Sequence, residues 1–152
     1  MANSQALCTS FLGELFTGTH DFTPSTGDTF KAALFTTVGT RNAATASYDT
    51  SDEVSGAGYT AGGITVTNAA PPTASNTSPT AGTAYWTPSA ALVFSAVTLT
   101  TAFDAVLIYN SSKSNRAVSV HTFGAQTITA GTLTLTMPTN NSANALIRLQ
   151  TT

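Results

Sequence analysis

Apolar and polar residues alternate through much of the second half of the chain, which is the pattern of β-strands. Between residues 98 and 137 it predicts four strands, over 99–110, 117–124, 125–131 and 132–138. In the first of them both alternating sets are mostly apolar, so we expect a central strand that is covered on both faces. The second and fourth alternate apolar with polar residues and predict strands with one exposed face. Turns are expected at residues 110–115 and at Ala130-Gly131.

The first half of the chain predicts one helix and further strands. Residues 4–17 have helical spacing, with Asn3 or Ser4 as the cap and Gly18 as the stop. The apolar stripe of this helix must dock on the sheet or on a neighbouring subunit. Cys8, on or beside that stripe, is interpreted as a small buried hydrophobe. Strands are predicted over residues 29–37, 64–68, 84–86, 91–94 and 145–149.

These elements predict a single mainly β domain over residues 1–152, an antiparallel β-sandwich or jelly-roll-like fold with one N-terminal α-helix. Residues 68–83 are low in complexity and rich in Pro and Thr, which predicts an extended loop or arm. An arm of this kind is a natural contact with neighbouring molecules. Trp86 is interpreted first as a core or loop anchor and second as part of that contact. The candidate interface residues are Pro71, Pro72, Thr73, Asn76, Pro79 and Trp86.

The composition is unusually poor in charge. Only 8% of the residues are charged, against about 25% in ordinary soluble domains, and Thr supplies about a fifth of the chain. A neutral, hydroxyl-rich surface repels its own copies weakly and favours ordered assembly. The chain has no basic stripe for nucleic acid. It also has no apolar stretch of the roughly 20 residues that a membrane span needs, and no signal peptide, so we expect synthesis in a cytoplasm.

The residues that usually carry chemistry are few and scattered. The single cysteine excludes an internal disulfide, and no G-x-S-x-G nucleophile motif is present. His20 lies far from His121 in sequence, so His20 and Asp21 predict only a hydrogen-bonded loop pair. Three acids lie together in residues 49–53, but their spacing resembles a calcium loop only loosely, so a solvated turn is expected. The sequence therefore predicts no catalytic residue, no cofactor, no metal and no enzymatic activity.

The order of several motifs resembles small proteins of tailed bacteriophages. GTHDF, DTFKAALFT, SDEVSGAGYTAGG, AVLIYNSSKSNRAVSVHTFG and a closing ALIRL follow one another across almost the whole chain. The resemblance implies a virion structural component and supplies no catalytic residues. We therefore expect a capsid decoration (cement) protein that stabilises the assembled head, located in the virion. Its partners would be the major capsid protein or other virion proteins and further copies of itself, with a trimer as the expected oligomer.

Two other functions remain open from the sequence. The first is a tail fibre, adaptor or baseplate component, which differs from a decoration protein mainly in copy number per particle. The second is a module that binds sugars of the host surface, since such sites pair exposed aromatic rings with acids or amides. The residues that could serve are Tyr48, Tyr85 and Trp86, with Asp49 or Asn76.

Overall fold

The computed structural model describes residues 2–78 and 81–151. The chain is mainly β, with two antiparallel sheets and one short N-terminal helix, an arrangement consistent with a β-sandwich, so the predicted fold class is confirmed. The elements are β1 Ala6–Leu7, α1 Thr9–Phe16, β2 Phe30–Thr36, β3 Ile64–Thr65, β4 Thr73–Ser78, β5 Ala81–Trp86, β6 Leu92–Asn110, β7 Arg116–Leu135 and β8 Ile147–Gln150.

The large sheet has the strand order β1-β7-β6-β2-β3. Residues 103–110 of β6 pair with β2 on one side and with β7 on the other. This part of β6 is covered on both faces, and Ala105, Leu107 and Ile108 are fully buried. The prediction of a central, doubly covered strand is therefore confirmed for this half of β6.

The prediction of four strands between residues 98 and 137 is wrong, because the chain forms two long strands there, β6 and β7. The turn predicted at residues 110–115 does join β6 to β7, but Ala130-Gly131 lies inside β7, so the second predicted turn is wrong. Ala96 and Ala130 have φ angles of 52° and 47°, and the register between β6 and β7 shifts beside each of them. These residues form β-bulges, which interrupt the alternation without ending the ladder.

The helix is shorter than predicted because its expected first turn is extended. Ala6 and Leu7 form β1 and pair with Val120 and Ser119 of β7, so α1 begins at Thr9 after an extended Cys8. Cys8 is fully buried, as predicted. Burial, reinforced by the negative charge of Glu14, raises the pKa of this thiol to about 12.

The small sheet has the order β4-β5-β8 and contains most of the segment predicted as a loop or arm. The prediction of an extended loop over residues 68–83 is wrong at β4, because β4 pairs with β5 as an antiparallel hairpin. Pro71 and Pro72 precede β4, so they do not interrupt its hydrogen bonding. Pro79 lies outside the described residues.

An aromatic cluster joins the small sheet to the large one. The ring of Phe22 lies 4.3 Å from that of Phe30 in β2 and 4.9 Å from that of Trp86 in β5. Phe11 of α1 packs on the same Phe22 ring at 6.1 Å. Of the two predicted ways of docking, the helix therefore packs within its own domain. Among the described residues, no helix has the length and apolar character needed to cross a membrane.

Candidate interaction surface

An open apolar groove of about 80 Å³ lies between α1 and the small sheet. We call it the α1–β5 groove. Its walls come from the buried face of the helix, from the loop that follows it and from the inner face of β5 and β8. The lining residues are Phe11, Leu15, Phe22, Pro72, Ala84, Tyr85, Trp86, Ile147 and Leu149.

The groove lies where the rings of Phe11 and Phe22 meet Trp86 and leave the neighbouring part of the small sheet uncovered. Side chains alternate along β5 and β8, so Ala84 and Trp86 share the inner face with their pairing partners on β8. Trp86 is 2% exposed, whereas Ala84 on the same face is exposed. The end of the sheet beyond the helix therefore presents apolar surface to solvent.

Trp86 is held rigidly in the floor of this groove. Its indole Nε1 donates a hydrogen bond to Oδ1 of Asn68 at 3.0 Å, and the Asn68 amide donates to the carbonyl of Phe22 at 2.9 Å. Both polar ends of the Trp86–Asn68 pair are thereby satisfied in a largely apolar setting. The interpretation of Trp86 as a core anchor is confirmed, and its edge still lines the groove.

The structure brings together only part of the predicted interface. Pro72 and Trp86 line the same groove. Thr73 and Asn76 lie in β4, which forms one edge of the small sheet. Pro71 is exposed in the segment that leads into β4. The groove and the β4 edge are therefore two neighbouring surfaces built from one predicted segment.

The most exposed large apolar side chain of the described residues is one that the sequence did not single out. Phe16, the last residue of α1, is 94% exposed, and Leu12 on the same helix is 36% exposed. Val38 is 73% exposed in the loop after β2 and offers a comparison outside the helix.

The β4 edge and one wall of the groove, formed by Pro72, Ala84, Tyr85 and Trp86, lie in a part of the sequence that has no charge. No Asp, Glu, Lys, Arg or His occurs in residues 54–103, which include β3, β4, β5 and the first half of β6. A surface without charge has little desolvation cost when a partner covers it. The charge-free stretch is thus about one third of the chain.

The acidic segment at residues 49–53 is more ordered than a solvated turn, and for Glu53 that prediction is wrong. The hydroxyls of Tyr48 and Tyr59 donate to the Glu53 carboxylate, each at 2.7 Å, and the Gly62 N–H donates at 2.8 Å. Burial, with a smaller contribution from Glu53, raises the pKa of Tyr59. Glu53 therefore ties this loop to the sheet.

The Asp49 carboxylate is also hydrogen-bonded within the protein. It accepts two hydrogen bonds from the Arg41 guanidinium, at 2.7 and 3.0 Å, which hold the pKa of its carboxyl well below the ordinary value. The guanidinium carbon of Arg41 lies 4.2 Å from the ring centre of Phe35. No cluster of three or more His, Cys, Asp or Glu side chains with metal-binding geometry is found in the described part of the chain.

The predicted pair of His20 and Asp21 is wrong. His20 Nε2 lies 2.6 Å from a carboxylate oxygen of Glu14, and its Nδ1 lies 3.0 Å from the side-chain nitrogen of Asn110. The amide of Asn110 is oriented by a hydrogen bond from the Ser112 N–H to its oxygen. The Asn110 nitrogen is therefore the donor, and His20 carries its proton on Nε2 and donates to Glu14.

His121 lies elsewhere, on β7, with its Nε2 2.9 Å from the Ser119 hydroxyl. Burial lowers the pKa of this imidazole to about 4. It borders an apolar pocket of about 110 Å³ with Phe123, Leu135, Met137 and Leu146. Nothing in the described structure joins it to His20.

The candidate sugar-binding residues are not brought to one place. The ring of Tyr48 stacks on Tyr109 with their centres 4.4 Å apart, and Trp86 is buried in the floor of the groove. Tyr85 and Asn76 lie in the small sheet, whereas Asp49 binds Arg41 in a loop. The structure therefore offers no cluster of aromatic and acidic side chains of the kind considered in the sequence analysis.

Comparisons with protein-family models, with curated proteins and with solved structures find no match to the chain.

Proposed function

We propose that the chain is a structural component of a tailed-bacteriophage virion, and specifically a decoration protein that binds the assembled capsid. The observation that carries the proposal is the uncharged segment 54–103, which supplies one wall of an open apolar groove and, beside it, a strand edge that has no partner among the described residues. The motif resemblance supplies the type of particle. The charge distribution and the exposed apolar surface support a protein that is held by neighbouring molecules.

The mechanism is stabilisation by mass action. A protein that binds the closed capsid lattice and not its dissociated subunits adds its binding free energy to the assembled state. The exposed Phe16 and the α1–β5 groove supply apolar area for that contact. Repetition over many copies makes a modest affinity of each copy sufficient.

The first experiment measures whether the chain occupies the particle through this surface. Particles are produced with the original chain, with Phe16→Ser and with Val38→Ser, and copies per particle are counted by quantitative gel staining. Phe16 and Val38 are both strongly exposed, so neither substitution disturbs the core. We expect Phe16→Ser to lower occupancy at subsaturating protein by about tenfold, since a buried Phe side chain contributes roughly 1.5–3 kcal/mol, and Val38→Ser to leave it unchanged.

Copy number and location separate the decoration role from its alternative. A decoration protein should be present in hundreds of copies on the head, and particles stripped of it should lose resistance to heat. About a dozen copies at the tail would instead identify a tail component. Purified particles that contain no copy of the chain would contradict both virion roles.

A further inference from the structure

The outer edge of β4 is an unpaired strand edge with a regular backbone. β4 is the first strand of the order β4-β5-β8, and its outer side has no partner among the described residues. Thr73, Ala74, Ser75 and Asn76 pair with β5 in an unbroken register. An edge of this kind presents free N–H and C=O groups to any other extended strand.

Hydrogen bonds on the far side of β5 show which groups of β4 point outwards. The Thr151 N–H donates to the Gly82 carbonyl at 3.0 Å, towards β8. Successive residues of a strand direct their backbone groups to opposite neighbours. Thr83 therefore directs its groups towards β4, where its partner is Ser75.

The same alternation along β4 leaves Ala74 and Asn76 with outward N–H and C=O groups. Ser75, which lies between them, bonds inwards to β5. The edge therefore offers two donors and two acceptors, separated by one residue, which is the spacing of an antiparallel ladder. Proline at position 74 would remove an outward donor and leave the bonds to β5 in place.

The other sheet edges have features that oppose pairing. β1 and β3 are two residues long, and β8 carries the exposed Arg148. The free side of β7 beyond its contact with β1 contains the bulge at Ala130. Short strands, charges and bulges are the devices by which proteins protect edges. In β4 the register shifts only between Asn76 and Ser78, so residues 73–76 keep a regular, uncharged edge.

We propose that β4 pairs with β4 of a second copy of this chain, antiparallel and about a two-fold axis. A two-fold axis places each β4 strand against its own copy, so a strand carrying charge of one sign would repel itself. β4 lies within the uncharged residues 54–103, and its side chains at positions 73–76 are small. The proposal concerns the isolated chain and does not require that it belongs to a virion.

The register follows from the outward groups. With Ser75 on the axis, Ala74 of each copy faces Asn76 of the other, and both pairs exchange backbone hydrogen bonds. Ser75 then forms a non-hydrogen-bonded pair with Ser75 of the second copy, for which the Cα–Cα distance is about 4.5 Å. Their hydroxyls lie on one face of the joined sheet, which has the order β8-β5-β4-β4-β5-β8.

Cross-linking tests this register directly. A Cα separation of about 4.5 Å permits a disulfide, so Ser75→Cys should form a covalent dimer under mild oxidation by dissolved oxygen with a copper catalyst. Thr83→Cys is the matched control, since Thr83 pairs with Ser75 in the same sheet but lies one strand from the axis. Cys8 is fully buried and contributes no background in the native protein.

Sedimentation velocity over a range of concentrations tests the association itself. We expect the original chain to form a dimer and Ala74→Pro to remain a monomer with an unchanged circular dichroism spectrum. Ser75→Lys, which brings two like charges to the axis, should also prevent the dimer. A monomer at all concentrations, a trimer, or a dimer that Ser75→Cys does not cross-link would each overturn the proposal. Because these measurements use purified protein, they are independent of the particle experiments.

Discussion

Two regions of this molecule differ in whether their polar groups are hydrogen-bonded within the chain. Around the β6–β7 turn, charged and polar side chains bind one another: Glu14 accepts from His20 and Arg116, and Asp28 accepts from Asn110 at 2.8 Å. The small sheet contains one charged residue, Arg148. Its outer strand and its apolar groove have no partner within the described chain.

This difference distinguishes surfaces that stabilise the fold from surfaces that remain free to bind a partner. Near the turn, the side chains of Glu14, His20, Asp28 and Asn110 are hydrogen-bonded to one another. A partner could bind these groups only by displacing an existing hydrogen bond. On the small sheet, a partner would gain backbone hydrogen bonds and apolar contacts without displacing any. We therefore place association on the small sheet and structural rigidity at the turn.

The largest expected effect compares two phenylalanines of one helix. Phe11 is 2% exposed and packs on His20 and Phe22, so Phe11→Ala should lower the free energy of unfolding by about 4 kcal/mol. Phe16 is 94% exposed, so Phe16→Ala should change it by less than about 0.5 kcal/mol. Urea denaturation of both variants measures the difference. Equal losses would show that Phe16 is part of the folded core.

The next comparison uses two asparagines, one from each region. Asn110 is fully buried and its amide joins His20, Asp28 and the Ser112 N–H. Asn110→Ala leaves these buried groups without a partner and should cost about 3 kcal/mol of unfolding free energy. Asn76→Ala on the exposed β4 strand should cost less than about 0.5 kcal/mol. A larger loss of unfolding free energy for Asn76→Ala than for Asn110→Ala would contradict the proposed difference between the two regions.

A smaller effect should appear as a dependence of stability on pH. The pKa of His121 is lowered to about 4 by burial, whereas the unfolded chain has the ordinary value near 6.5. Below pH 6.5 the unfolded state binds a proton that the native state does not. The contribution of the neutral imidazole to the free energy of unfolding is therefore fully present above pH 6.5. It is lost as the pH decreases towards 4, by roughly 3 kcal/mol at most.

His121→Gln keeps a hydrogen-bonding group near Ser119 and removes this titration. The difference in unfolding free energy between the original chain and the variant should therefore change between pH 7 and pH 4, with the original chain losing more. Denaturant titrations at several pH values measure it. A difference that is constant with pH would contradict the assigned burial of the imidazole.

The sequence predicted the elements that depend on local pattern. The doubly apolar residues of β6, the turn after Asn110 and the apolar β2 strand all follow from side-chain periodicity. The sequence did not predict the continuity of β7, because Ala130-Gly131 has the composition of a turn and only the pairing with β6 shows that it is a bulge. Pairing is a long-range property that a local pattern does not contain.

The form of the segment at residues 68–83 was not predicted. Its low complexity and its prolines at 71 and 72 favoured a loop where the chain forms a strand. The groove could not be predicted, since its lining residues come from α1, β5 and β8, which lie far apart in the sequence, and neither could the length of α1. That length is set by the pairing of β1 with β7, a contact between residues more than a hundred positions apart.

The pairing of β2 with β6 has a consequence for how the chain is made. Phe30 in β2 pairs with Asn110 at the end of β6, so during translation the ribosome completes the apolar β2 strand long before its neighbour exists. The β6–β7 hairpin, by contrast, joins strands through a five-residue connection, 111–115, and such local contacts form quickly. The nascent chain therefore exposes the apolar β2 strand until the hairpin has been synthesised. A chaperone would accordingly be needed during the early part of synthesis.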